Sequence, residues 1–137
     1  MVSLGIVVAE FDKTGEVIPA MEQAARASAS ANGAEIRAIQ HVPGSYDTPL
    51  AADKLARRDG IDAVAVLGAI VTGETNHDQI IAHAAAKGLT EVSLRRDTPV
   101  TLGILGPGMT ESQARARVDY AAQAVTSAID LAEAYES

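Results

Sequence analysis

The stretch VTGETNHDQII (71–81) places one of only three histidines in the chain where an apolar run, AVAVLGAIV (63–71), gives way to a helical pattern. Gly73 permits close backbone approach there, and the amides of residues 74–77 would face outward at a helix N-terminus. Orphan amides together with the positive end of a helix form an anion site. His77, in the first helical turn, would stand beside any phosphate held in that site. Imidazole is the side chain best suited to move protons near neutral pH. The same pattern also describes an ordinary capped turn carrying a surface histidine, and spacing does not separate the two.

Other loops offer further chemistry. Tyr46 and Asp47 lie in PGSYDTP (43–49), where a carboxylate can accept hydrogen bonds from a polyol or cap its own helix. Phe11, the one phenylalanine, follows a buried strand and can stack on a planar ring or plug the core. Arg115 and Arg117 lie two positions apart in the last helical pattern and face different ways; one aimed at a phosphate is compatible with that spacing. His77 and His83 are six apart, unlike the i, i+4 pair of a helical zinc site, so no metal is expected. His41 reads as a strand-end residue.

The elements that must position these residues alternate. SLGIVVA (3–9) is a Val/Ile run of the kind buried on both faces of a parallel sheet. Loop 10–16 follows, then a helix from Val17, with Pro19 in its first turn and NG (32–33) at its end. A second strand spans 34–42. Thr48 and Pro49 open a helix through LAADKLARR (50–58), with Thr48 as its cap. The third strand covers 62–71. A third helix follows, with Asn76–Gln79 or Thr75–Asp78 as a capping box and Ile80, Ile81, Ala84 and Ala85 as its apolar face. A fourth strand covers 98–105, GPGMT turns, and a last helix spans about 110–135.

This alternation predicts one domain over 1–137, a three-layer α/β/α fold with a four-stranded parallel sheet in flavodoxin-like order. Ligands in such folds sit beyond the carboxyl ends of the strands, which directs attention to loops 10–14, 43–48, 70–76 and 105–109.

Composition narrows the classes. The chain has 137 residues and no cysteine, which excludes thiolate catalysis and disulfide frameworks. Its net charge of −7 opposes non-specific binding to nucleic acid or anionic membrane. No apolar run approaches a membrane span of roughly 20 residues, and the first charge is Glu10, so no basic signal region is expected. The expectation is a cytoplasmic protein.

Taken together, GIVVAEFD (5–12), HVPGSYDTPLAADKLA (41–56), DAVAVLGAIVTGETNHDQI (62–80), AAKGL (85–89) and PVTLGILGPGMT (99–110) resemble the 6,7-dimethyl-8-ribityllumazine synthase family, most of all its short archaeal form. The likeness runs over nearly the whole chain, in order and at the family's spacing. It implies condensation of 5-amino-6-(D-ribitylamino)uracil with L-3,4-dihydroxy-2-butanone 4-phosphate, without metal or organic cofactor. By the same resemblance Phe11 would stack on the pyrimidine, and Ser45, Tyr46 and Asp47 would hold the ring and its ribityl chain. Ala69, Ile70 and Val71 would present backbone groups to the ring edge. Glu74 and Thr75 would hold the phosphate through loop amides, with His77 as the proton-transfer residue. Family sites lie between subunits of a pentamer, or of a capsid of twelve pentamers, so Leu102 and Arg117 would come from an adjacent chain.

Two departures stand out. Asp12 occupies a position where asparagine is usual, and Leu102 replaces a phenylalanine common in bacterial forms. Glu74 must point away from any phosphate. Against the complete GETNHD loop, an archaeal-type riboflavin synthase fits less well. A flavodoxin-like carrier using DKTGE (12–16) lacks a tryptophan clamp, a receiver domain lacks the strand-end aspartate, and a shell protein has no need of His77, Asp47 and Arg117 together.

Overall fold

The computed structural model describes residues 1–73 and 76–136. Strands β1 (Ser3–Ala9), β2 (Glu35–Val42), β3 (Ala63–Val71) and β4 (Val100–Met109) alternate with helices α1 (Val17–Ala31), α2 (Thr48–Ala56), α3 (His77–Arg96), α4 (Glu111–Arg115) and α5 (Tyr120–Tyr135). The strands form one sheet in the order β2-β1-β3-β4, with every neighbouring pair parallel. This is the expected flavodoxin-like arrangement.

The pleat of the central strands explains the two cores. Successive side chains point to opposite faces. Leu4, Ile6 and Val8 of β1 and Ala63, Ala65 and Leu67 of β3 meet Val17, Met21 and Ala25 of α1 and Ala121, Val125 and Ala128 of α5. On the other face Val7, Ala9, Val64 and Val66 meet Ala52 and Leu55 of α2 and Ala85, Leu89 and Val92 of α3. Apart from Ser3 at the start of β1, both strands are apolar throughout because both faces are covered. Alanine supplies much of the helical side, which lets the backbones approach the sheet closely.

Several expectations are corrected. β4 runs to Met109 rather than 105: its pairing with β3 shifts register past GPG, then resumes with Val71 opposite Met109 and Thr72 N donating to Met109 O at 2.8 Å. Gly106 makes this possible: its φ is +91°, and a β-carbon there would collide with the Ile70 carbonyl. The last helical pattern is two helices. Between them Arg117 N donates to Ala114 O, Tyr120 N to Arg117 O and Ala121 N to Val118 O, a run of tight i→i+3 bonds that breaks the α-helical register. Ile80 is 64% exposed, but Ala85 of the expected face is buried and Ile81 half-buried, and the stripe of α3 continues through Leu89 and Val92.

Two caps also differ. Asn76 forms no side-chain cap bond at the start of α3, where Gln79 N donates to Asn76 O at 3.0 Å. The Thr75–Asp78 alternative involves a residue outside the described ones. Thr48 is inside α2 rather than its cap, because its hydroxyl donates to Ser45 O at 2.8 Å and locks the preceding turn.

Candidate active site

Three strands end side by side and deliver three loops to one edge of the sheet. Phe11 follows β1, the single 3-10 turn Ser45–Asp47 follows β2, and Gly73 and His77 follow β3. They surround a cavity of about 570 Å³ lined by Phe11, Pro43 to Asp47, Ala69 to Val71, Gly73, His77, Asp78 and Ile81. The cavity lies where β1 and β3 adjoin while their connections leave on opposite faces, the usual ligand position in this architecture.

Each wall has a local cause. Glu10 N donates to Val42 O at 2.8 Å and Phe11 N to Pro43 O at 2.9 Å, so the first two loops are stitched together by backbone. Phe11 is left 68% exposed over the cavity, a cost in water that a stacked ring would remove. In the second loop Gly44 N donates to the Asp47 carboxylate at 2.9 Å, and Asp47 N returns a bond to Gly44 O at 3.0 Å. That reciprocal pair fixes the Asp47 carboxylate at the cavity wall before any ligand arrives. Ser45 is buried and lies over Gly68, where a β-carbon would stand 2.8 Å from its hydroxyl. Ala69 and Ile70 are buried and offer the cavity chiefly backbone edge.

His77 is exposed in the first turn of α3 and lines the cavity. Of the other residues expected at the site, Glu74 and Thr75 lie outside the described residues. Leu102 and Arg117 do not line this cavity. Leu102 is 48% exposed on β4, in a separate groove of about 260 Å³ shared with Tyr120 and Gln123. Arg117 is exposed in the turn after α4, its Nη1 donating to Gln113 O at 2.9 Å.

Sequence reasoning missed Asp78 and Ile81. Both were legible in principle, since Asp78 adjoins His77 and Ile81 lies one turn beyond it on the same face. Among the described residues the lining carries two carboxylates, Asp47 and Asp78, and no lysine or arginine. A phosphate held there must draw its positive potential from the α3 N-terminus and from outside this chain's own wall.

A second cavity of about 430 Å³ lies across β1, lined by Val8, Glu10, Asp12, Ile18, Glu22, Arg26 and His41 among others. His41 Nε2 is 2.8 Å from Glu22 Oε1, and Arg26 bonds the other oxygen at 3.0 Å. Burial raises the Glu22 pKa, but hydrogen bonds from His41 and Arg26 outweigh it and hold the carboxyl below its ordinary value.

The fold and the first cavity together define a parallel α/β protein with a cavity at the carboxyl edge of its sheet, lined by an exposed phenylalanine and a histidine. Comparison with known proteins narrows this. A profile of the 6,7-dimethyl-8-ribityllumazine synthase family matches residues 1–136. The chain is 59% identical over 133 residues to the 6,7-dimethyl-8-ribityllumazine synthase of Halobacterium salinarum, covering 97% of this chain and 98% of the relative. The proteins of the same name from Halorubrum lacusprofundi and Methanocaldococcus jannaschii are 58% and 45% identical, over 97% and 96% of this chain and 98% and 92% of theirs. The chain belongs to the 6,7-dimethyl-8-ribityllumazine synthase family. No described helix is long and apolar enough to cross a membrane.

Proposed function

We propose that this chain condenses 5-amino-6-(D-ribitylamino)uracil with L-3,4-dihydroxy-2-butanone 4-phosphate, releasing phosphate and 6,7-dimethyl-8-ribityllumazine for riboflavin biosynthesis. The observation that carries this reading is the convergence of Phe11, the Ser45–Asp47 turn, the Ala69–Val71 backbone and His77 on one cavity. Phe11 stacks on the pyrimidine. Tyr46 and Asp47 receive the ribityl hydroxyls, with Ser45 seating their turn. The backbone of Ala69 to Val71 reads the ring edge. Glu74 and Thr75 belong to the loop assigned to the phosphate, through backbone amides at the α3 N-terminus.

The chemistry is a series of proton transfers. An imine forms between the ring 5-amine and the ketone with loss of water, and elimination of phosphate leaves an enol. Once the enol ketonises, the ribitylamino nitrogen attacks the new carbonyl and closes the ring with loss of a second water. His77 exchanges protons with the intermediates at the cavity rim. Holding both substrates in register contributes about 7–11 kcal/mol in strongly preorganised systems, so one histidine is an adequate acid and base. The chain assembles as a pentamer or as multiples of one in the cytoplasm. In that assembly Leu102 and Arg117 of each subunit complete a neighbour's site, Arg117 supplying the positive charge that the cavity wall lacks.

The test is direct. Purified protein mixed with both substrates should produce the lumazine chromophore well above the uncatalysed rate, and His77→Ala should lower kcat roughly 10²-fold. Absence of acceleration by assembled protein would overturn the assignment; acceleration unaffected by His77→Ala would overturn the role of the histidine alone.

A further inference from the structure

The surroundings of Asp12 assign it a task away from the reacting centre. Val8, Glu10 and Asp12 line the second cavity, while Phe11 between them lines the site cavity. The alternation of an extended chain therefore continues past the end of β1. One Asp12 oxygen accepts from Ile18 N at 2.7 Å and the other from Thr14 N at 3.4 Å. Helix α1 has no side-chain cap from Glu16 and no acidic residue in its first turn. Asp12 thus supplies from six residues upstream the anion that the α1 N-terminus requires.

We infer that Asp12 is a positioning residue for the Phe11 platform: by docking on the start of α1 it fixes which way the next side chain upstream points. Loop 10–16 has a further anchor on its far side, since the Thr14 hydroxyl donates to Glu111 at 2.6 Å. Phe11 itself is hydrogen-bonded through its backbone to Pro43, and its direction follows from the orientation its neighbours impose. Asparagine keeps a carboxamide oxygen that can accept from Ile18 N, so either residue serves at this position. Alanine cannot.

This inference rests on the stacking role proposed for Phe11, and the experiment separates the two. Phe11 is the sole phenylalanine, so the protein grown with 4-fluorophenylalanine carries one fluorine reporter. Without substrate, Asp12→Ala should broaden the resonance or move it toward the free amino acid, and Asp12→Asn should leave it in place. In turnover, Asp12→Ala should raise KM for the ribitylaminouracil roughly 3- to 10-fold, the range expected for loss of a helix cap, with kcat little changed. Asp12→Asn should stay near the parent. In a Phe11→Ala background Asp12→Ala should add almost nothing, because both changes remove the same platform. An unmoved fluorine signal would overturn the proposal. So would an Asp12→Ala penalty undiminished in the Phe11→Ala background, or a loss in Asp12→Asn as large as in Asp12→Ala. The fluorine measurement reads on Asp12 even if the parent protein shows no turnover.

Discussion

At Gly68 one missing β-carbon keeps the cavity wall in place. An alanine there would press on the hydroxyl of buried Ser45 at 2.8 Å and on the Ala9 β-carbon at 3.2 Å. Gly68→Ala should cost about 1–3 kcal/mol in denaturant unfolding and raise KM for the ring substrate, since the 43–47 turn must shift. Phe11→Ala should behave in the opposite way. The side chain is exposed, so the unfolding midpoint should hardly move, while affinity for the ring substrate in titration calorimetry should fall roughly tenfold. The candidate residues were legible in sequence where they interrupt a pattern, as Phe11, Asp47 and His77 do. Ser45 entered only through the family resemblance and Gly68 not at all, because a small residue against a small residue leaves no periodic signature.

At the scale of elements, the tie between α2 and α3 is ionic as well as apolar. Arg96 forms two hydrogen bonds to Asp53, at 2.7 and 3.1 Å, with Arg57 and Arg95 within 4 Å of the same carboxylate. The Arg96 hydrogen bond holds the Asp53 pKa below its ordinary value against an opposing contribution from burial. A depressed carboxyl stabilises the fold at pH values above its unfolded pKa and loses that contribution as pH falls through the lower folded value. Asp53→Asn should therefore lower stability at pH 7 and flatten its fall below about pH 4, seen by urea unfolding at the two pH values. β1 and β3 were readable because burial on both faces makes them nearly unbroken apolar runs, and β2, exposed at Glu35, Arg37 and His41, from its alternation. The end of β4 was not, because glycine and proline read as a turn, whereas here Gly106 lets the strand pass the Ile70 carbonyl. The break after α4 carries no glycine or proline, so nothing in the letters announces it.

At the scale of the whole molecule, the net charge is −7 and the cavity lining has no lysine or arginine among the described residues, so a phosphate placed there would gain from charge brought by a neighbour. If neighbours provide it, two inactive variants should rescue each other: His77→Ala and Arg117→Ala, dissociated and reassembled together, should regain a measurable fraction of activity in mixed oligomers. Sedimentation velocity should show pentamers or multiples of them, and Leu102→Glu should shift them toward smaller species, because Leu102 and Tyr120 expose apolar surface in one groove. The placement of the aromatic residues has another consequence. Phe11, Tyr46, Tyr120 and Tyr135 are all exposed, and there is no tryptophan. The interior is therefore optically silent in the near ultraviolet. Tyrosine emission and near-ultraviolet dichroism should respond to ligand through Tyr46 and to assembly through Tyr120. Melting of the core by itself should pass almost unseen at 280 nm, and would have to be followed through the amide bands.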